Sequence, residues 1–461
     1  MIRTRSLSLA LAIGLGSVAS LAHADDLIQI YGEARNSDPQ LAGAEATRNA
    51  TSENVDQARS ALLPQINASL DYQRSHGSST GPQFVTNEDG TQSLINVTSS
   101  STSYGRTLSG RLDQSILDLS RWADLSSAKS TAKAGDATYH AAEQDLLLRV
   151  ATAYFEVLTA EDALIFDQAN EQALARQLEQ AQQRFEVGLS AITDVNDAKA
   201  QHDTAVANVI VSQNTVEDTK EALRQLTNKQ PGELKKLRNK LPLDRPNPED
   251  PENWVAVAIE QNPNLDSLSN QVDAANANIN SARSGHLPTL NGQILYSKAP
   301  TWSDNSASSF NDAFHTNSDR WSTTVGLSLN VPIFSGGYTQ SRVRQSIYNR
   351  DAAQDQYEQR KRLVERNTRS SYRAVIAGAS EVEATEQAVL SAQSSLDATQ
   401  AGYEVGTRTI VDVLISQRQL LSAQSSYSRA RHAFVLNGLR LKTAAGIIEV
   451  SDLEAVNALL E

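Results

Sequence analysis

Ala58-Arg59-Ser60-Ala61-Leu62-Leu63-Pro64 recurs as Ala282-Arg283-Ser284-Gly285-His286-Leu287-Pro288, 224 residues later. A longer match lies downstream. Phe185-Glu186-Val187-Gly188-Leu189-Ser190-Ala191-Ile192-Thr193-Asp194-Val195 returns as Tyr403-Glu404-Val405-Gly406-Thr407-Arg408-Thr409-Ile410-Val411-Asp412-Val413, 218 residues on, with six of the eleven positions identical. Tyr154 and Tyr372 keep that same offset. Matches in one order at nearly one spacing mark a tandem duplication. The join runs from Pro231 to Pro251, with Pro242, Pro246 and Pro248 among Lys, Arg, Asp and Glu, which is a linker composition.

Proline placement divides each half further. None occurs between Phe84 and Gln230, or after Pro332. Proline costs about 3 kcal/mol inside a helix, so both tracts are free to be helical. Leu119 to Val187 contains a single glycine, Gly135. A continuous helix there is about 100 Å long. The stretch from Gly337 to Gly402 repeats the pattern, and each tract reaches a glycine turn (Gly188; Gly402 and Gly406) before a helix-compatible return. Leu147, Val150, Tyr154 and Val157 show the narrow 3-4-3 stripe of helices packed side by side.

Around each repeated proline the period drops to two. Ile66, Ala68, Leu70 and Tyr72 alternate with Asn67, Ser69 and Asp71, and Leu108, Gly110 and Leu112 alternate with Ser109, Arg111 and Asp113. Leu290, Gly292, Ile294 and Tyr296 form a third set, and Trp321, Thr323, Val325, Leu327, Leu329 and Val331 a fourth. These are strands with one apolar face. The connections Ser75–Ser103 and Ser297–Arg320 are rich in Ser, Thr, Asn and Gly and read as exposed loops. Trp321 and Tyr296 fit either an interfacial aromatic belt or plain strand preference.

Composition narrows the functional classes. The 461 residues are 39% hydrophobic and 5% aromatic, with mean hydropathy -0.41, which suits long thin helices better than one thick core. Cysteine is absent, which excludes disulfides, thiol nucleophiles and Cys-based zinc sites. A net charge of -13 argues against nucleic-acid binding. Arg3 and Arg5, the apolar stretch Leu7–Leu21 and Ala22-His23-Ala24 compose a secretory signal peptide over residues 1–24. No later segment approaches about 20 apolar residues, so a membrane span has to be a closed barrel. Four strands do not close one; two copies give eight strands and three give twelve.

The repeated Pro-headed segments, the Gly188 and Gly406 turns, Gln114-Ser115-Ile116-Leu117-Asp118, Ala151-Thr152-Ala153-Tyr154-Phe155 and Ala401-Gly402-Tyr403-Glu404-Val405-Gly406 resemble the TolC family of outer-membrane efflux and secretion channels across nearly the whole chain. That resemblance implies an α + β membrane protein. The implied architecture is a homotrimeric twelve-stranded β-barrel, four strands per chain, continued by a long periplasmic α-helical barrel. The layout it implies is a lead-in helix over 25–61, barrel strands and extracellular loop over 62–118, long and return helices over 119–229 and an equatorial linker over 230–250. A helix over 251–285, strands and loop over 286–335, long and return helices over 336–446 and a tail over 447–461 follow. The implied role is a passive exit duct without enzymatic activity or cofactor. The implied place is the outer membrane, and the implied partners are a periplasmic adaptor (membrane fusion) protein joined to an inner-membrane efflux transporter or ABC exporter.

The resemblance also implies site residues. Thr193, Asp194, Tyr403 and Arg408 match a periplasmic gate, in which the Tyr403 hydroxyl donates to Asp194 and Arg408 bridges to Thr193 and Asp194, within or between subunits. Asp412 matches a carboxylate ring at the constriction, whereas Ile415 stands where close relatives carry a second Asp. The adaptor-binding tips map to Arg184, Val187, Gly188, Leu189, Ser190, Val405, Gly406 and Thr407. A plainer reading makes Ser190 and Thr407 N-caps, with Asp194 and Asp412 merely favouring positive helix ends.

Other signals carry little. Gly77-Ser78-Ser79-Thr80-Gly81 fits G-x-S-x-G but lacks a strand-turn-helix setting. His76, His140, His202, His286, His315 and His432 form no i, i+4 pair, so there is no metal motif, and no phosphate-binding loop is present. Rival readings are a periplasmic helical-hairpin adaptor, which lacks four alternating strands, and a secreted helical structural protein, which would not need Pro-headed strands.

Overall fold

The computed structural model describes residues 25–307 and 314–461, and the expected leader lies outside them. Among the described residues the first half runs α1 (Leu27–Ser37), α2 (Pro39–Ser60), β1 (Gln65–Thr86), β2 (Gln92–Leu117), α3 (Leu119–Glu186) and α4 (Ile192–Thr227). The second half repeats it as α5 (Pro251–Gln261), α6 (Pro263–Ser284), β3 (Thr289–Ala307), β4 (Phe314–Asn330), α7 (Tyr338–Glu404) and α8 (Ile410–Ala445), followed by α9 (Val450–Asn457).

Each lead-in segment is two helices where one was expected. Asp38-Pro39 and Asn262-Pro263 stand at the same repeat offset. The Asp38 carboxylate accepts from the N–H of Leu41 at 3.0 Å, and the Asn262 side chain accepts from that of Asn264 at 3.0 Å. Proline at the first helical position lacks a donor that would be unpaired there anyway. The preceding cap then starts a new helix.

Two compact units emerge. One comprises Gly43–Ala141 and Gln261–Val364 and contains a single antiparallel sheet in the order β1-β2-β3-β4. Ile66 pairs with Leu112, Leu112 with Ile294 and Ile294 with Val325, so one apolar row crosses all four strands. Three residues along, on the opposite face, Ser69, Ser109, Ser297 and Ser322 make a polar row. Ile66, Leu70, Val325 and Leu327 are each more than 70% exposed within the single chain, so the apolar face is uncovered.

The stretches expected as loops are mostly strand. Pairing continues to Thr86↔Gln92, with a short turn in which Gly90 takes φ 82°. The hydroxyls that suggested loops instead pair across strands: Thr80 with Thr98 at 2.9 Å, Ser100 with Ser306 at 2.7 Å and Ser303 with Thr316 at 2.9 Å. Such pairs stabilise a sheet whose faces carry little apolar surface. Residues 308–313 of the second expected loop lie outside the described residues.

The other unit gathers the remaining helix lengths, the linker and the chain end. Tyr154 is fully buried, and its hydroxyl donates to the carbonyls of Lys235 at 2.8 Å and Asp25 at 3.2 Å. Its repeat partner Tyr372 donates to the Glu249 carbonyl. Both tyrosines thus tether linker backbone that would otherwise lack partners. Asp25 pairs with Leu234 and Leu237 with Leu460 as short bridges.

Asp38 is 4% exposed and accepts from Arg149 Nη2 at 2.7 Å. Burial pushes its carboxyl up, but the hydrogen bond and charge of Arg149 and the Leu41 N–H more than offset this and hold it below the usual carboxylate range. A depressed folded value stabilises above the unfolded one, near pH 4, and the benefit is lost as pH falls through the folded value. Asp38→Asn keeps the cap acceptor but removes one of the two carboxylates on Arg149, which retains Asp145 at 2.7 Å, at a cost of about 1.5–3 kcal/mol. Denaturant midpoints of detergent-solubilised protein should show the full deficit at neutral pH and a shrinking one below about pH 4.

Candidate functional site

The turns joining α3 to α4 and α7 to α8 are built alike. Gly188 and Gly406 take φ 75° and 80°, a left-handed conformation that glycine adopts without strain. The N–H of Leu189 donates to the Arg184 carbonyl at 2.7 Å, and that of Thr407 to the Gly402 carbonyl at 2.8 Å. These six-to-one bonds close the helix ends and turn the chain back. Val187, Leu189 and Val405 are 69%, 70% and 75% exposed, so each tip presents apolar side chains to its surroundings.

The return helices start one or two residues later than the plainer sequence reading placed them. The N-caps are Ala191 and Thr409, not Ser190 and Thr407. Ser190 Oγ instead donates to the Ala181 carbonyl at 3.4 Å, and Thr407 Oγ1 to the Gly402 carbonyl at 3.0 Å. The cap swap separates the two repeat-related aspartates. Thr409 and Asp412 form a capping box: Asp412 Oδ2 accepts from the N–H and Oγ1 of Thr409, both at 2.9 Å, while Thr409 Oγ1 accepts from the Asp412 N–H at 3.2 Å. Those bonds from Thr409 hold the Asp412 carboxyl below the usual range. Ala191 offers no hydroxyl, so Asp194 has no such box.

Among the described residues, no side-chain hydrogen bond within the chain joins Thr193, Asp194, Tyr403 and Arg408. Thr193 and Arg408 are exposed and Asp194 is half-buried. Tyr403 packs against two buried clusters, one containing Ile410 and Leu414 and the other Leu396 and Val413. The Arg184 guanidinium lies 4.9 Å from the centre of its ring, a cation–π contact joining α3 to α7. Arg184 Nε is buried without a hydrogen-bond partner, as is Gln177 Oε1. Both line a cleft of about 410 Å³ with Gln180, Gln400, Tyr403 and Glu404. Ile415 is 41% exposed on α8.

Gly402 does more than supply a turn glycine. It is the repeat counterpart of Arg184, and a Cβ there would lie 2.8 Å from Arg408 Cγ. The missing side chain lets Arg408 fold back over the turn. The signal was available in the 218-residue alignment, where an arginine faces a glycine.

The family described as Outer membrane efflux protein matches residues 30–229 and 254–447. The chain belongs to that family. It is 39% identical to outer membrane protein TolC of Escherichia coli (strain K12) over 455 residues, covering 98% of this chain and 88% of that protein. It is 27% identical to the alkaline protease secretion protein AprF of Pseudomonas aeruginosa over 439 residues, covering 95% and 88%. The Campylobacter jejuni CmeC outer membrane channel shares its fold with a TM-score of 0.75 at 16% identity, over 100% of this chain and 98% of that one. The open state of the Neisseria gonorrhoeae MtrE channel follows at 0.67 and 19%, over 92% and 89%. The chain is therefore an outer-membrane protein with the fold of outer-membrane channels, and the two rival readings fall.

Gly402→Ala should displace Arg408 and loosen the α7–α8 turn. Amide hydrogen exchange at Thr407 and Arg408 is expected to accelerate about tenfold, corresponding to the loss of roughly one hydrogen bond. Gly43→Ala, where an added Cβ meets nothing within 4 Å, should leave exchange unchanged.

Proposed function

We infer that three copies of this chain close one twelve-stranded barrel in the outer membrane and form a passive duct for efflux and protein secretion. The observation that carries this is the open sheet. Among the described residues β1 and β4 each pair on one side only, and both are long, at 22 and 17 residues. In hydrocarbon each unpaired backbone group costs several kcal/mol. The apolar row demands a lipid setting, and the free edges demand further copies to pair with. The similarity to TolC and AprF supports a duct serving both efflux and type I secretion, and an energy source outside this chain fits the missing phosphate-binding loop.

The hairpin tips are the proposed docking surface for a periplasmic adaptor, itself joined to an inner-membrane efflux transporter or ABC exporter. Val187, Leu189 and Val405 supply apolar contact, while Gly188 and Gly406 let a second backbone approach closely. Arg184, Ser190 and Thr407 border the same turns.

The gate reading follows from the aspartates. Asp412 is engaged by Thr409, but Asp194 is not capped, so Asp194 is the acceptor left for Arg408 or Tyr403 of a neighbouring copy. A charge-assisted bond of that kind contributes about 1.5–3 kcal/mol, repeated at each subunit contact. Docking then opens the gate by offering Arg184, Tyr403 or Arg408 better partners. Asp412 and Ile415 form the constriction, with one carboxylate per copy.

Single-channel recording in planar lipid films tests both parts. Asp194→Ala or Arg408→Ala should raise conductance severalfold while trimers persist in gels; unchanged conductance would remove these residues from the gate. Ile415→Asp should tighten block by hexamminecobalt(III) about tenfold or more, because a second carboxylate ring strengthens attraction for a trivalent cation. Equal block of both channels would show that residue 415 does not face the bore.

A further inference from the structure

Beyond the apolar band the same sheet face carries a group that channel function does not use. Arg74 on β1 pairs with Tyr104 on β2, and Tyr104 with Trp302 on β3. Arg106 lies two residues from Tyr104 on that face. The Tyr104 and Trp302 rings stack, with centroids 6.0 Å apart and planes 13° apart. The Arg74 guanidinium is 5.5 Å from the Tyr104 ring centre, and that of Arg106 is 5.4 Å from the Trp302 ring centre.

Both arginines lack an acidic partner among the described residues. The carboxylates on this face are engaged elsewhere: Asp319 with Lys298 Nζ at 3.5 Å and Asp304 with His315 Nδ1 at 2.6 Å. Two unneutralised arginines on a chain of net charge -13 run against the overall balance. The ring contacts restrain each guanidinium, and among the described residues neither donates a side-chain hydrogen bond. The N–H edge of a guanidinium matches the paired oxygens of a phosphate.

Position identifies the source of the phosphate. Trp302 is twelve residues along β3 from Leu290, the start of the apolar band. At ~3.3 Å per residue and a tilt near 45° this is roughly 28 Å along the membrane normal, just beyond an apolar band about 25 Å tall. The stack therefore stands at headgroup depth, on the hairpin side of the band, remote from Pro64 and Pro288.

We propose that the Arg74–Tyr104–Trp302–Arg106 stack binds the phosphate of a lipid in the leaflet on the hairpin side of the barrel. This rests on the barrel reading above. The two guanidiniums take the phosphate oxygens, and the rings lie along the acyl-chain boundary. An acidic protein partner would not be confined to this depth, whereas a lipid phosphate is.

The test uses the purified full-length oligomer in detergent, exposed to bisphosphorylated lipid A or to its dephosphorylated form. Lipid adducts are counted by native mass spectrometry. Wild type should retain the phosphorylated lipid about tenfold more than the dephosphorylated one, the scale of a bidentate charged contact. Arg74→Gln/Arg106→Gln should abolish that preference, and Arg74→Lys/Arg106→Lys, which keeps the charge but not the fork, should reduce it. Should the glutamine variant fail to assemble, the lysine variant and the phosphate comparison in wild type still decide. Inorganic phosphate in excess should not displace the adduct. Equal retention of both lipids, equal retention by wild type and variants, or displacement by free phosphate would each overturn the proposal. Wild type is recorded in planar films in parallel: a conducting channel without the preference refutes the lipid site alone, and a non-conducting one refutes the barrel reading with it.

Discussion

Backbone hydrogen bonding in lipid governs this molecule. A sheet of four strands with an uncovered apolar face is unstable in water, because the face is exposed, and unstable in hydrocarbon, because β1 and β4 each leave a row of N–H and C=O groups without partners. Only closure satisfies both demands, and a chain that supplies four strands closes only with others like itself. The duplicated sequence follows from the same need. Two hairpins per chain lengthen the arc each copy contributes, and the helices leading from each hairpin are duplicated with it.

The two repeats then diverge where one copy needs a different contact. Thr409 caps α8 and engages Asp412, whereas Ala191 leaves Asp194 uncapped at the equivalent place. Arg184 stacks on Tyr403, whereas its counterpart Gly402 makes room for Arg408. Both exchanges gather at the tips. The paired tyrosines Tyr154 and Tyr372 keep one task, tethering linker backbone through their hydroxyls. Difference between repeats thus marks the proposed gate, and sameness marks the scaffold.

Most of the fold was legible in the sequence because period and proline placement act locally. Alternation around Pro64 and Pro288 gave the strands, and the proline-free tracts gave helices ending at Glu186 and Glu404. Strand length was not legible. Ser, Thr and Asn between 75 and 103 suggest a loop until cross-strand pairing joins Thr80 to Thr98 and His76 to Thr102. The breaks at Asp38-Pro39 and Asn262-Pro263 are written in the sequence as Asx-Pro pairs, which single helices over 25–61 and 251–285 do not accommodate. At the tips, residue positions could be read from the repeats and the family resemblance. The capping box and the Arg184–Tyr403 stack depend on which hydroxyl or ring faces which turn, and that is decided by tertiary packing.

The central claim is that β1 of one copy pairs with β4 of the next. The chain has no cysteine, so engineered pairs report cleanly. Within one chain β1 and β4 are three strand spacings apart, about 14 Å, beyond the reach of a disulfide. Ser69→Cys combined in turn with Ser318→Cys, Ser322→Cys and Ser328→Cys, oxidised in native membranes, should give a covalent trimer on non-reducing gels for at least one pair. Monomer alone for every pair along β4, in membranes where the protein conducts, would contradict the account.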